Sequence, residues 1–186
     1  MFLSKRVHGL FLARRREILV RCISTCCQSD NPMIRCLPKG ICSWDFLLEG
    51  DGHRADLHFD LVREQGSMTA DDTPYGIHKH GLFSGEWTLD RAGQGTVASA
   101  IKSSAFSRTF EVRHSLDSLL LRAESMLSRS FRVERSGLEY AKIITDHAFT
   151  RRATIEVLSD AYHFPTVGFA FWLVVLVWRR AASSSS

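Results

Sequence analysis

The chain has 186 residues, 45% hydrophobic and 24% charged, with 12 glycines and 4 prolines. These values describe one ordinary globular domain and exclude a collagen-like, low-complexity or wholly disordered chain. The net charge of +4 is unevenly placed: residues 1–42 hold eight Lys and Arg against two carboxylates, and residues 43–186 hold sixteen against eighteen. A mildly acidic body excludes nucleic acid as the expected partner, because neutralising phosphates takes a basic surface rather than a basic tail.

Residues 1–33 read as a basic, cysteine-containing extension, poorly ordered and upstream of the domain proper. Arg14-Arg15-Arg16 separates Leu10-Phe11-Leu12 from Ile18-Leu19-Val20, which spoils any secretory apolar stretch. The same composition also fits a basic amphipathic helix on anionic lipid, or an organelle presequence. All five cysteines (Cys22, Cys26, Cys27, Cys36, Cys42) lie in the first 42 residues. Their spacing matches neither paired zinc ligands nor a disulfide framework. The body is therefore expected to hold together by burial in a reducing, cytoplasmic compartment.

From Trp44 to Val157 the chain alternates apolar and polar residues in short segments parted by turn residues, the pattern of antiparallel strands with one buried face. The runs fall at 44–49, around Leu57-Phe59-Leu61, and at 66–70, 73–80, 83–90, 95–102, 105–113, 117–124, 129–135, 138–146 and 149–157, which makes eleven candidate strands. Glycines at 50, 52, 66, 81, 93, 95 and 137 punctuate them.

The last segment has a different pattern. Val167 to Trp178 is apolar on every side, closed by Arg179-Arg180 and a serine tail over 181–186 expected to be disordered. A helix with no polar face must be surrounded by lipid or by protein. Twelve residues rise ~18 Å, short of a roughly 30 Å hydrocarbon core. A strand of eight residues, about 26 Å long and tilted about 40° in a barrel, makes a wall of matching height. The fold class predicted is mostly β: a closed antiparallel barrel of about twelve strands over residues 34–180, around a central hydrophobic C-terminal helix at 166–180. Phe59, Phe83, Trp87, Phe106, Phe110 and Phe131 are expected to face Phe169, Phe171, Trp172 and Trp178. The alternative is a tail anchor, with this helix inserted in a bilayer.

Two arginines break the alternation. Arg108 shares a strand phase with Phe106, Phe110 and Val112, and Arg151 shares one with Phe149, Ala153 and Ile155. A guanidinium facing a core requires a carboxylate, carbonyls or an opening at the barrel rim. Its forked donors also suit a phosphate or a lipid head group. Asp56, His58 and Asp60 share one strand face, with His53, His78 and His80 nearby, and read as a solvated face rather than a metal site. There is no G-x-S-x-G elbow, no phosphate-binding glycine loop and no cysteine in the body. No catalytic residue, metal or cofactor is expected.

Tyr75-Gly76-Ile77 before Gly85-Glu86-Trp87-Thr88-Leu89, Lys102 ahead of Phe106-Ser107-Arg108-Thr109-Phe110, and Phe149-Thr150-Arg151-Arg152-Ala153 precede the final FPTVGFAFWLVVLVWRR. In this order the chain resembles the tubby-like C-terminal superfamily, which includes tubby domains, phospholipid scramblases and LURP-one-related proteins. The resemblance covers about residues 34–180 and implies a twelve-stranded barrel around a central helix. It implies a non-enzymatic domain that binds anionic phospholipid head groups or a protein partner at a membrane surface, with Lys102, Arg108, Arg151 and Arg152 as the matching basic residues. The scramblases' acidic calcium segment corresponds here to residues 159–163, which hold the single carboxylate Asp160. Calcium takes six to eight oxygens, so calcium dependence is not expected.

Overall fold

Each strand between residues 33 and 157 turns alternate side chains inward, and the inward set is almost wholly apolar. The computed structural model describes residues 31–60, 62–81, 85–104, 107–115, 117–147, 150–159 and 161–184. The extension expected over residues 1–33 therefore lies outside the described residues as far as Asp30. Twelve strands follow: β1 (Met33–Pro38), β2 (Phe46–Gly50), β3 (His53–Asp60), β4 (Gln65–Ala70), β5 (Thr73–His80) and β6 (Glu86–Arg91). The circuit continues with β7 (Gly95–Lys102), β8 (Thr109–His114), β9 (Asp117–Ala123), β10 (Phe131–Arg135), β11 (Leu138–Thr145) and β12 (Ala153–Val157). Each pairs antiparallel with its chain neighbours, and β1 closes the barrel against β12.

The closing strand β1 is missing from the eleven expected. Its inward residues Ile34 and Cys36 are fully buried and face Ile155 and Leu48 in register. Arg35 and Pro38 conceal that short alternation in a segment whose cysteines set it apart from the body. Closure leaves no open edge in the sheet, and an open edge would template pairing with other chains.

The helix α1 (Phe164–Ser183) begins with Pro165 in its first turn, where a missing N–H costs nothing. Every residue from Val167 to Trp178 is buried, so the helix is the core that the sheet encloses, and no face of that stretch is left for lipid. The length and mean hydropathy of α1 alone would also suit a membrane span. Its 20 residues exceed the expected helix at both ends, and the tail predicted from residue 181 is helical as far as Ser183.

Aromatic rings tie the helix to the wall. Trp172 stacks on Phe59, with centroids 4.7 Å apart and planes 2° apart, and Phe171 meets Phe46 edge-on at 5.1 Å. Each such pair adds about 1 kcal/mol to what burial contributes. Trp87, Phe110 and Phe131 are also buried, as expected, while Phe83 and Phe106 lie outside the described residues. Gly66 faces Phe59 in register, and a Cβ there would lie 2.2 Å from the His58 carbonyl oxygen and 2.8 Å from Trp172 Nε1. The indole thus occupies the space a side chain would need.

The two ends of the barrel differ. At the end where α1 starts, the connections are tight turns: Asp51-Gly52, Asp71-Asp72 and Ser136-Gly137 have positive φ at both residues, the conformation that matches hairpin twist. At the other end, where α1 finishes, the connections are longer and span residues 39–45, 61–64, 81–85, 103–108, 124–130 and 146–152.

Candidate functional site

The connections at 39–45, 103–108, 124–130 and 146–152 and the end of α1 supply the described lining of an open cavity of about 870 Å³ at the barrel mouth. Five cations line it: Lys102 at the end of β7, Arg108 before β8, Arg129 before β10, Arg151 before β12 and Arg180 on the helix. Trp44 and Trp178 supply its aromatic walls, and no carboxylate is among its described lining residues.

Arg108 and Arg151 do not lie in strands as the alternation predicted. Their strands begin at Thr109 and Ala153, which leaves both arginines at the rim, half-buried. Arg108 donates Nη1 to the Met126 carbonyl at 2.8 Å and stands over the Phe131 ring. Arg151 donates Nη1 to the Ser43 carbonyl at 2.5 Å and Nη2 to the carbonyls of Gly40 and Ile41, with its guanidinium over Trp44. Backbone oxygens and aromatic faces hold both side chains, which leaves their positive charge uncancelled by any carboxylate in these contacts.

Arg129 donates to the Thr150 carbonyl at 3.2 Å and lies over Trp178, whose Nε1 donates to the Arg129 carbonyl at 2.9 Å. Burial, and then the charge of Arg151, lower the Arg129 pKa. Lys102 is lowered by burial first and then by the charge of Arg180, against an opposing pull from Glu64. In both groups burial is the larger cause and a neighbouring cation the smaller. The negative end of the helix dipole also points here, but its roughly half charge is outweighed by the surrounding cations.

Of the four basic residues expected, Lys102, Arg108 and Arg151 converge on this cavity. Arg152 is exposed and does not line it. Arg129 and Arg180 are lining residues that the sequence reading did not single out. Arg129 stood at the start of an expected strand, and Arg180 read as a cation satisfying the helix terminus. The His and Asp residues around β3 are dispersed among separate partners: His53 meets Asp71 at 2.7 Å, His58 meets Asp45 at 3.1 Å and Lys39 meets Asp56 at 2.5 Å. Among the described residues no three His, Cys, Asp or Glu side chains are grouped to hold a metal ion.

The fold and the cavity together define a closed β-barrel with a helical core and a basic mouth. No protein-family model, no curated protein and no solved structure matches the chain.

Proposed function

We propose that this barrel is a tubby-like, scramblase-related binding domain, without catalytic activity, whose basic mouth takes the anionic head groups of phospholipids at a cytoplasmic membrane surface. The observation that carries the reading is the convergence of Lys102, Arg108, Arg129 and Arg151 on one open cavity that has no carboxylate among its described lining residues, beside Arg180, which is paired with Glu64. Backbone carbonyls fix the orientation of the Arg108 guanidinium through Nη1, which lowers the entropy cost of binding an anion beside it, while Arg151, with both Nη atoms given to carbonyls, adds charge. Twelve antiparallel strands around a C-terminal helix also agree with the architecture that the resemblance implies. The described lining groups are suited to holding an anion, with no imidazole, thiol or carboxylate among them to accept a proton.

Titration with inorganic phosphate, and co-sedimentation with phosphatidylcholine vesicles with and without phosphatidylserine, test the proposal. The wild-type chain should bind phosphate and favour the anionic vesicles. Arg108→Gln with Arg129→Gln should weaken both by about tenfold or more, as expected when charge-assisted hydrogen bonds are lost. Arg152→Gln, outside the cavity, should change phosphate binding little. Absence of phosphate binding by the wild type would overturn the reading.

A further inference from the structure

The four most exposed large apolar side chains lie at the same end of the barrel as the basic mouth, while Leu138, 75% exposed, and Met33, 59%, lie at the opposite end. Ile41 is 96% exposed, Val62 91%, Met126 88% and Leu127 96%, and all four sit in connections at the end where α1 finishes. Met126 and Leu127 also line the basic cavity. Ile41 belongs to the loop whose carbonyls hold Arg151, and Val62 to the loop that carries Glu64, the partner of Arg180. At the opposite end the turns carry Asp51, Asp71 and Asp72. The four most exposed apolar tips thus share an end with the cations of the cavity, where Asp45, Glu64, Glu124 and Asp146 also lie, and the turns with Asp51, Asp71 and Asp72 lie at the other.

The circuit of strands fixes how the tips are spaced. The β3–β4 and β9–β10 connections, which carry Val62 and Met126-Leu127, are six strands apart in a ring of twelve and so face each other across the mouth. Ile41, in the β1–β2 connection, lies between them around the rim on one side. Apolar tips spread around the rim, with an arc of cations along the side from β7 to β12, do not form the continuous groove that a peptide helix or strand would occupy. They suit a planar partner with a charged layer above an apolar one.

We infer that the barrel docks end-on upon an anionic phospholipid bilayer, with Ile41, Val62, Met126 and Leu127 inserted among the acyl chains and the basic mouth seated at the phosphate layer. The inference rests on the anion-binding reading above and adds to it an orientation and a set of membrane anchors. Apolar insertion supplies an attraction that salt does not screen, while the cations supply one that it does, and stable attachment to a membrane generally takes two such signals. The acidic turns, at the far end, would be held away from the anionic surface.

Two experiments on the full chain decide the matter. Val62→Ser alters an exposed tip outside both the core and the lining of the cavity, so the fold should persist. Its affinity for vesicles of phosphatidylcholine and phosphatidylserine should fall several-fold, while its binding of inorganic phosphate stays at the wild-type level. An unchanged vesicle affinity overturns end-on insertion and leaves the anion site standing, whereas absence of phosphate binding by the wild type removes the anion site itself. In the second experiment a reporter tryptophan is placed at Leu127→Trp or, at the opposite end, at Leu138→Trp. Lipids brominated in the acyl chains should quench the first above the native tryptophan background and spare the second. Quenching of the second, or of neither, overturns the proposed orientation. Phosphate binding without vesicle binding identifies a soluble phosphate ligand and likewise overturns docking.

Discussion

Arg180 donates Nε and Nη2 to the two carboxylate oxygens of Glu64, each at 2.7 Å, and so fastens the last turn of the core helix to the β3–β4 connection. Lys79 reaches the same carboxylate at 2.6 Å, and Trp87 Nε1 donates to the Glu64 carbonyl at 3.2 Å. One loop residue thus joins the helix to two strands at the mouth, to β5 through its carboxylate and to β6 through its carbonyl.

The Glu64 carboxyl is held down to about 2 from an ordinary 4.5, above all by its hydrogen bonds to Arg180, against an opposing effect of burial. A depressed carboxyl pKa contributes stability that is present above the unfolded value and is lost as pH falls towards the folded one. Glu64→Gln is expected to cost about 1 kcal/mol at neutral pH, a figure reduced for solvent screening of the partly exposed pair. The gap from wild type should close between about pH 4.5 and 2. Urea unfolding across that range measures it, and a gap that stays constant with pH would contradict this account of the clamp.

Two glycines at the helix–sheet contact should respond differently to the same substitution. Gly66→Ala forces a methyl group against the His58 carbonyl and the Trp172 indole, and overpacking against backbone costs about 2–3 kcal/mol. In Gly168→Ala the methyl group meets the Met68 sulfur at 2.7 Å. A thioether can shift, and alanine improves helix propensity by about 1 kcal/mol, so the net change should stay within about 1 kcal/mol. Thermal unfolding of both variants checks the order, and the reverse order would refute it.

At the start of the helix, His163 stacks on His114 with centroids 4.2 Å apart, and its Nδ1 lies 2.8 Å from Thr166 Oγ1. Burial, then the charge of His114, hold the His163 pKa below its ordinary 6.5. The positive end of the helix dipole acts in the same direction. A lowered histidine pKa means that the unfolded chain takes up the proton first, so stability should fall as pH drops below about 6.5. His114→Gln removes the like charge and should flatten part of that slope. A slope of the same size in that variant would show that the pair is not coupled.

Arg151 holds the connection at 39–45 through three carbonyls. Arg151→Lys keeps the charge and loses the fork, so it should cost about 1–2 kcal/mol. Amide exchange in residues 39–45 should speed up while exchange in β12 keeps its wild-type protection. Equal acceleration in both would mean that the arginine supports the whole barrel rather than the loop.

Much of the fold is legible in the sequence because alternation is a direct consequence of one-sided burial. Leu57 and Phe59, or Ile155 and Val157, can face inward only if their neighbours face out. The helix is legible for a related reason, since Val167 to Trp178 has no polar face and must be enclosed. What the sequence hides depends on where strands begin. Arg108 and Arg151 keep the strand phase in the sequence, but the chain enters the sheet one and two residues later, so the expected buried charge is a rim charge. The mouth itself draws on five distant segments, and local spacing carries no record of their meeting. Arg129 and Arg180 become part of it only once the barrel closes.

The helix that fills the barrel leaves the ribosome after every strand that encloses it. All twelve strands are made before the chain contains the residues they enclose, so a nascent sheet would have its apolar inner face uncovered until Phe164 and the residues after it emerge. Closure around the core therefore has to await the synthesis of this helix, and chaperones have the most reason to act on this chain in the interval between the last strand and its core.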